Sequence, residues 1–138
     1  MDQITIYFDG GARPTNPGNK YGSFEVQLEG RTVFKASRIE LGYGTSNEAE
    51  YDTLNSALKW THENLMVAGL PMIKYSATVY TDSTVVHGRI SSRSTKGKGE
   101  AAARMIALSK QCLARLAYFG HWQIVWQGRQ GNVDRFGH

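Results

Sequence analysis

Hydrophobic and polar positions alternate through the first third of the chain. Ile4, Ile6 and Phe8 interleave with Thr5, Tyr7 and Asp9, the period of a strand with two unlike faces. Gly10 to Asn19 is dense in Gly, Pro and Asn and predicts a loop. Alternation resumes over Tyr21–Leu28, with Phe24, Val26 and Leu28 opposed to Ser23, Glu25 and Gln27. A turn at Glu29-Gly30-Arg31 then returns a β-branched and aromatic partner, Thr32–Leu41.

Beyond Gly42-Tyr43-Gly44 the period lengthens. Leu54, Ala57, Leu58, Thr61 and Leu65 form one helical stripe, with Thr45 or Ser46 as N-cap and Gly69-Leu70-Pro71 as terminator. Ala77–Thr81 predicts a fourth strand, and Ser83 can cap a short helix running through Arg89. The stretch SSRSTKGKG (91–99) reads as a mobile loop. A second long helix from Glu100 turns Ala102, Met105, Ile106, Leu108, Cys112, Leu113 and Leu116 inward. Trp122–Trp126 is the last strand, followed by a glycine-rich tail containing Asp134. Strands reached through helical crossovers lie parallel to their neighbours. The pattern therefore predicts an α/β fold: a five-stranded mixed sheet, three antiparallel strands then two parallel ones, with helices packed on it, as a single domain over 1–138.

Composition narrows the class. With 138 residues, 41% of them apolar, the chain can build its own core, and a single cysteine, Cys112, excludes an internal disulfide. No apolar run approaches the roughly 20 residues a membrane span requires, and Met1–Phe8 shows no basic leader. A soluble, cytoplasmic, monomeric protein is expected. The formal charge of +4 conceals segregation. Residues 1–82 hold seven Lys and Arg against ten Asp and Glu, whereas 83–138 hold nine against two. An acidic half suited to cations thus joins a basic half suited to polyanions.

Three acids occupy positions that a purely structural pattern would not favour. Asp9 ends one strand, Asp82 follows another, and Glu50 lies one turn before Leu54 on the apolar stripe, while Glu48 and Asp52 point about 200° away, toward water. Singly, each reads as an ordinary turn or first-turn residue. Jointly, on elements that pack together, they read as a site. Converging carboxylates repel and lose hydration, and a divalent cation relieves both penalties. All-oxygen ligands suit Mg²⁺ or Mn²⁺, and no Cys/His spacing offers zinc. Such a cage is equipped for two-metal phosphoryl chemistry.

Tyr7-Phe8-Asp9-Gly10-Gly11, Asn16-Pro17-Gly18, Thr45-Ser46-Asn47-Glu48-Ala49-Glu50-Tyr51 and Tyr80-Thr81-Asp82-Ser83, in that order over nearly the whole chain, resemble type 1 ribonuclease H. The short 91–99 loop points to the compact subgroup without a long basic protrusion. The resemblance implies the ribonuclease H-like fold and two Mg²⁺ ions, Mn²⁺ substituting, held by Asp9, Glu50 and Asp82. It further implies hydrolysis of the RNA strand of an RNA/DNA hybrid, leaving 5′-phosphates. The family's fourth carboxylate follows the last strand in a pattern like N-x-x-A-D-x-L-A, and Val133-Asp134-Arg135-Phe136 matches part of it. Asp134 is the fourth candidate; Asn132, two residues before it instead of four, is the alternative. Arg129 stands where many members carry a His. His121 is not assigned a role, and His138 could swing in from a tail expected to be disordered.

By the same resemblance Asn16, Ser46, Asn47 and Thr84 would face the hybrid, with Thr45 near a DNA-strand phosphate. Seven basic residues between Arg89 and Arg115 oppose only Glu100 and would meet phosphates without regard to sequence. Trp60, Trp122 and Trp126 read as packing residues, and His62 and His87 as surface ones. Two other functions remain open: a non-catalytic nucleic-acid-binding module, and a DNA-cutting resolvase- or integrase-like nuclease.

Overall fold

The computed structural model describes residues 1–138. Five strands, β1 (Asp2–Arg13), β2 (Gly18–Leu28), β3 (Arg31–Gly44), β4 (Tyr75–Thr81) and β5 (His121–Trp126), form one sheet in the order β3-β2-β1-β4-β5. β1 runs antiparallel to β2 and β2 to β3, whereas β1, β4 and β5 are parallel. The helices are α1 (Ser46–Val67), α2 (Thr84–Ser92), α3 (Gly99–Leu116) and α4 (Gln130–Phe136), with a 3-10 turn at Met72–Lys74. The expected mixed sheet with packed helices is the observed architecture.

The core lies between the sheet and α1. Ile4, Ile6, Phe8, Phe24 and Val26 from the strands meet Leu54, Ala57, Leu58 and Leu65 from the predicted stripe, and all are buried. α1 begins with a capping box: the Glu48 amide donates to Thr45 Oγ1 at 3.1 Å while the Glu48 carboxylate accepts from the Thr45 amide. Ser83 caps α2 through the Val86 amide, as its position predicts.

Two segments differ from expectation. Most of Gly10–Asn19 is strand, leaving only residues 14–17 as the connection. Gly10 serves approach, not turning: a Cβ there would lie 2.6 Å from the Ala49 carbonyl, so its absence lets α1 sit against β1. The tail after β5 contains a helix, α4, that lies against β1. Arg135 anchors it, stacking 3.5 Å over the Tyr7 ring and donating to Glu25 at 3.0 Å, while Lys35 donates to the Arg135 carbonyl. No helix is long and apolar enough to cross a membrane.

Candidate active site

Strand register sets the first two carboxylates. Tyr7 pairs with Tyr80 across parallel β1 and β4, so Asp9 and Asp82, each two residues further along, emerge side by side. α1, drawn close by Gly10, brings Glu50 over them. One ligand oxygen from each of Asp9, Glu50 and Asp82 lies within 4.8 Å of the others. Asp9 and Glu50 are buried and Asp82 is half-buried. The two other acids of α1 are not simply solvated, as expected, but paired: Glu48 with Arg104 at 3.6 Å and Asp52 with Lys20.

The cluster is electrostatically uncomfortable. Burial and the Asp82 charge push the Asp9 carboxyl from 3.8 up to about 7, against the lowering effects of a Glu50 hydrogen bond and of Arg129. Burial, then the charges of Asp9 and Asp82, raise Glu50 well above the carboxylate range. Glu50 Oε2 is buried without a hydrogen-bond partner. An orphaned carboxylate oxygen facing two more carboxylates is a donor set that fits a hard divalent cation. The arrangement could therefore hold a metal ion.

Around the cluster is an open cleft of about 470 Å³. Asn16, Ser46, Asn47, Thr84 and Arg129 line it, together with Tyr21, Ser83 and His138. Asn16 is locked to the start of α1, its amide nitrogen donating to Ser46 Oγ at 2.8 Å and its oxygen accepting from the Ser46 amide at 3.0 Å. Thr45 is spent on the capping box and does not line the cleft. Of the basic residues only Arg129 does. Arg104 is bound to Glu48, Arg93 stacks over Trp122 at 5.3 Å, and Arg89 holds the Lys96 carbonyl. Trp60 stacks on Phe34 in the expected packing role, whereas Trp126 is half exposed, its Nε1 donating to the Asp82 carbonyl at 3.2 Å.

Asp134 is not brought to the cluster. Asn132 and Phe136, four residues apart, face the sheet, and a residue two positions from Asn132 points about 200° away. Asp134 is accordingly exposed and accepts a bond from Gln130 at 2.8 Å. Asn132 is buried, its amide nitrogen donating to the Phe8 carbonyl at 3.4 Å, and it does not line the cleft either. What α4 delivers is His138. Gly137, at φ +79°, ends the helix in the left-handed conformation and turns the chain back onto the sheet. His138 is 6% exposed, ordered where disorder was expected, with Nδ1 2.7 Å from Asp9 Oδ2 and Nε2 2.7 Å from Ser23 Oγ. Gly137 as a helix stop was the available signal in the sequence.

No family model matches the chain, and no curated protein matches it in sequence. Solved structures do. RNase H1 from the halophilic archaeon Halobacterium salinarum matches with TM-score 0.73 and 24% identity, over 94% of this chain and 89% of that one. The N-terminal RNase H domain of a Mycobacterium tuberculosis protein matches with TM-score 0.75 and 26% identity, over 97% and 95%. An RNase H1 isolated from compost by a metagenomic approach matches with TM-score 0.74 and 26% identity, over 97% and 90%; that protein has also been solved in complex with RNA/DNA hybrid. Across nearly its whole length, the chain has the fold of these ribonuclease H structures.

Proposed function

We propose that this protein is a metal-dependent endonuclease that hydrolyses the RNA strand of RNA/DNA hybrids, leaving 5′-phosphate and 3′-hydroxyl ends. The observation that carries the reading is the Asp9, Glu50 and Asp82 cluster, with ligand atoms within 4.8 Å and Glu50 Oε2 unpartnered, at the floor of an open cleft on a ribonuclease H fold. The hybrid complex of the compost RNase H1 supports the substrate class.

Asp9, within β1, and Asp82, just past the end of β4, would hold Mg²⁺ side by side, and Glu50 of α1 would complete the donor set. Two bound ions would supply an activated water and stabilise the leaving oxygen. The chain's own contribution is orientation. Asn16 and Ser46, fixed to each other, present short polar groups beside Asn47 and Thr84, the kind of surface that reads 2′-hydroxyls in a shallow minor groove. Arg129 places a cation at the rim, where it also opposes the raised Asp9 carboxyl.

A panel of labelled RNA/DNA hybrid, duplex RNA, duplex DNA and single strands, with and without Mg²⁺, tests the reading. Hybrid alone should be cut, and only with metal. Asp9→Asn should keep its far-UV spectrum and lose at least about a hundredfold in rate, since it removes a charged ligand shared by the proposed ions. Cutting of duplex DNA instead would favour the resolvase-like reading. The outward position of Asp134 favours a second possibility, a module that binds hybrid without turnover; tight, metal-independent binding with no product would establish it.

A further inference from the structure

His138 belongs to none of the motifs that suggest the function, yet both of its ring nitrogens are hydrogen-bonded at the site. Asp9 and Ser23 are direct partners across antiparallel β1 and β2, so their side chains leave the same face of the sheet, and the His138 ring sits between them. Two further contacts hold the ring, and a third holds its helix. Phe136 stacks at 6.0 Å between centroids, Tyr21 meets it edge-on at 5.0 Å, and the Arg135 anchor keeps α4 on the sheet.

An ionised Asp9 carboxylate can only accept, so a His138 ring bonded to its Oδ2 carries a hydrogen on Nδ1. In the neutral ring Nε2 is then the acceptor, and the Ser23 hydroxyl, whose oxygen also accepts the Arg38 amide hydrogen at 2.8 Å, donates to it. Asp9 Oδ2 is thereby engaged by the ring while the carboxylate remains in the cluster with Glu50 and Asp82. A carboxylate tethered in this way loses less rotational freedom on taking up a cation than one with no such partner.

We infer that His138 is a positioning residue for Asp9: a Ser23–His138–Asp9 chain of hydrogen bonds, carried in by α4, orients the carboxylate for a divalent cation. The inference rests on the metal-site reading above, and it gives α4 a task at the site that does not involve Asp134. Loss of the tether should weaken cation binding even when no nucleic acid is present.

The test is calorimetric titration of Mn²⁺ into the full chain, without nucleic acid, for wild type, His138→Phe, His138→Asn and Ser23→Ala. Phe keeps the ring packing but neither hydrogen bond, whereas the Asn amide nitrogen can take the place of Nδ1. The expected result is a dissociation constant raised about tenfold or more in His138→Phe, restored to within about threefold in His138→Asn, and intermediate in Ser23→Ala. Thermal melts without metal verify that each variant is folded. Should His138→Phe bind Mn²⁺ as tightly as wild type, or more tightly because the ring competes with the cation, the inference is overturned with the metal site intact. An Asn variant no better than Phe would also overturn it, showing that packing alone matters. Absence of Mn²⁺ binding by the wild type would instead remove the metal-site reading, and this inference with it.

Discussion

The Asp9 carboxyl, lifted to about 7 chiefly by burial and then by the Asp82 charge, links the site to the stability of the whole chain. An unfolded Asp loses its proton near pH 4, so between about pH 4 and 7 the folded protein binds more protons than the unfolded one, and stability falls as pH rises through that window. Without metal, Asp9→Asn should therefore stabilise the protein at pH 8 by on the order of 2 kcal/mol, a rise of several degrees in Tm, and have little effect at pH 4. Melting curves at the two pH values check this; equal shifts at both would remove the electrostatic explanation. Cation binding must also displace the proton held near neutrality. Apparent Mg²⁺ affinity should rise from pH 6 to 8, with protons released from Asp9 and Glu50 as the cluster fills, measurable by calorimetry in buffers of different ionisation enthalpy.

Between elements, small side chains decide how near α1 comes to the sheet. A Cβ on Gly10 would meet the Ala49 carbonyl at 2.6 Å, and one on Gly22 would run into Thr53. Backbone atoms cannot rotate away, so Gly10→Ala should destabilise by about 1–3 kcal/mol and, by pushing Glu50 off the cluster, weaken metal binding as well. Gly30, at φ +77° with open space around it, lies in a turn where substitution strains only the local backbone and leaves metal affinity alone. At the entrance of the same helix, Thr45→Ala removes the side-chain half of the capping box and should cost about 1 kcal/mol in urea melts. Asn16 and Ser46 survive that change, so hybrid selectivity should not follow the stability loss.

Across the whole molecule, charge is arranged less simply than the acidic and basic halves of the sequence suggest. Much of the 89–115 cluster is engaged: Arg104 with Glu48, Arg93 over Trp122, Arg89 on the loop that carries Lys96 and Lys98. Lys96 and Lys98 themselves make no ion pair within the chain. Hybrid binding measured by fluorescence anisotropy without metal should weaken about tenfold to a hundredfold between 50 and 200 mM salt, as neutralisation of a few phosphates requires. Lys96→Glu with Lys98→Glu should flatten that dependence, whereas Arg104→Ala should act mainly through Glu48 and stability. An unchanged slope in the double variant would place the phosphate contacts elsewhere.

The sequence by itself determined the alternation of the strands, the stripe of α1 and the presence of an acid in β1 and another just past β4, because period and cap chemistry are local properties of the chain. Glu50 was separable from Glu48 and Asp52 for the same reason: helical phase is counted along the sequence. Only the tertiary structure decided what lies beside what. Gly10 and Gly11 look like turn residues until α1 and Tyr21 are seen against them. Asp134 looks like the fourth ligand until Asn132 and Phe136 take the inward face of α4 and turn it outward. His138 enters the site through an Arg135 stack on Tyr7, more than a hundred residues away along the chain, and through the cross-strand pairing of Asp9 with Ser23. Those contacts depend on which surfaces a folded sheet leaves open to a short helix, and no local pattern of residues carries that information.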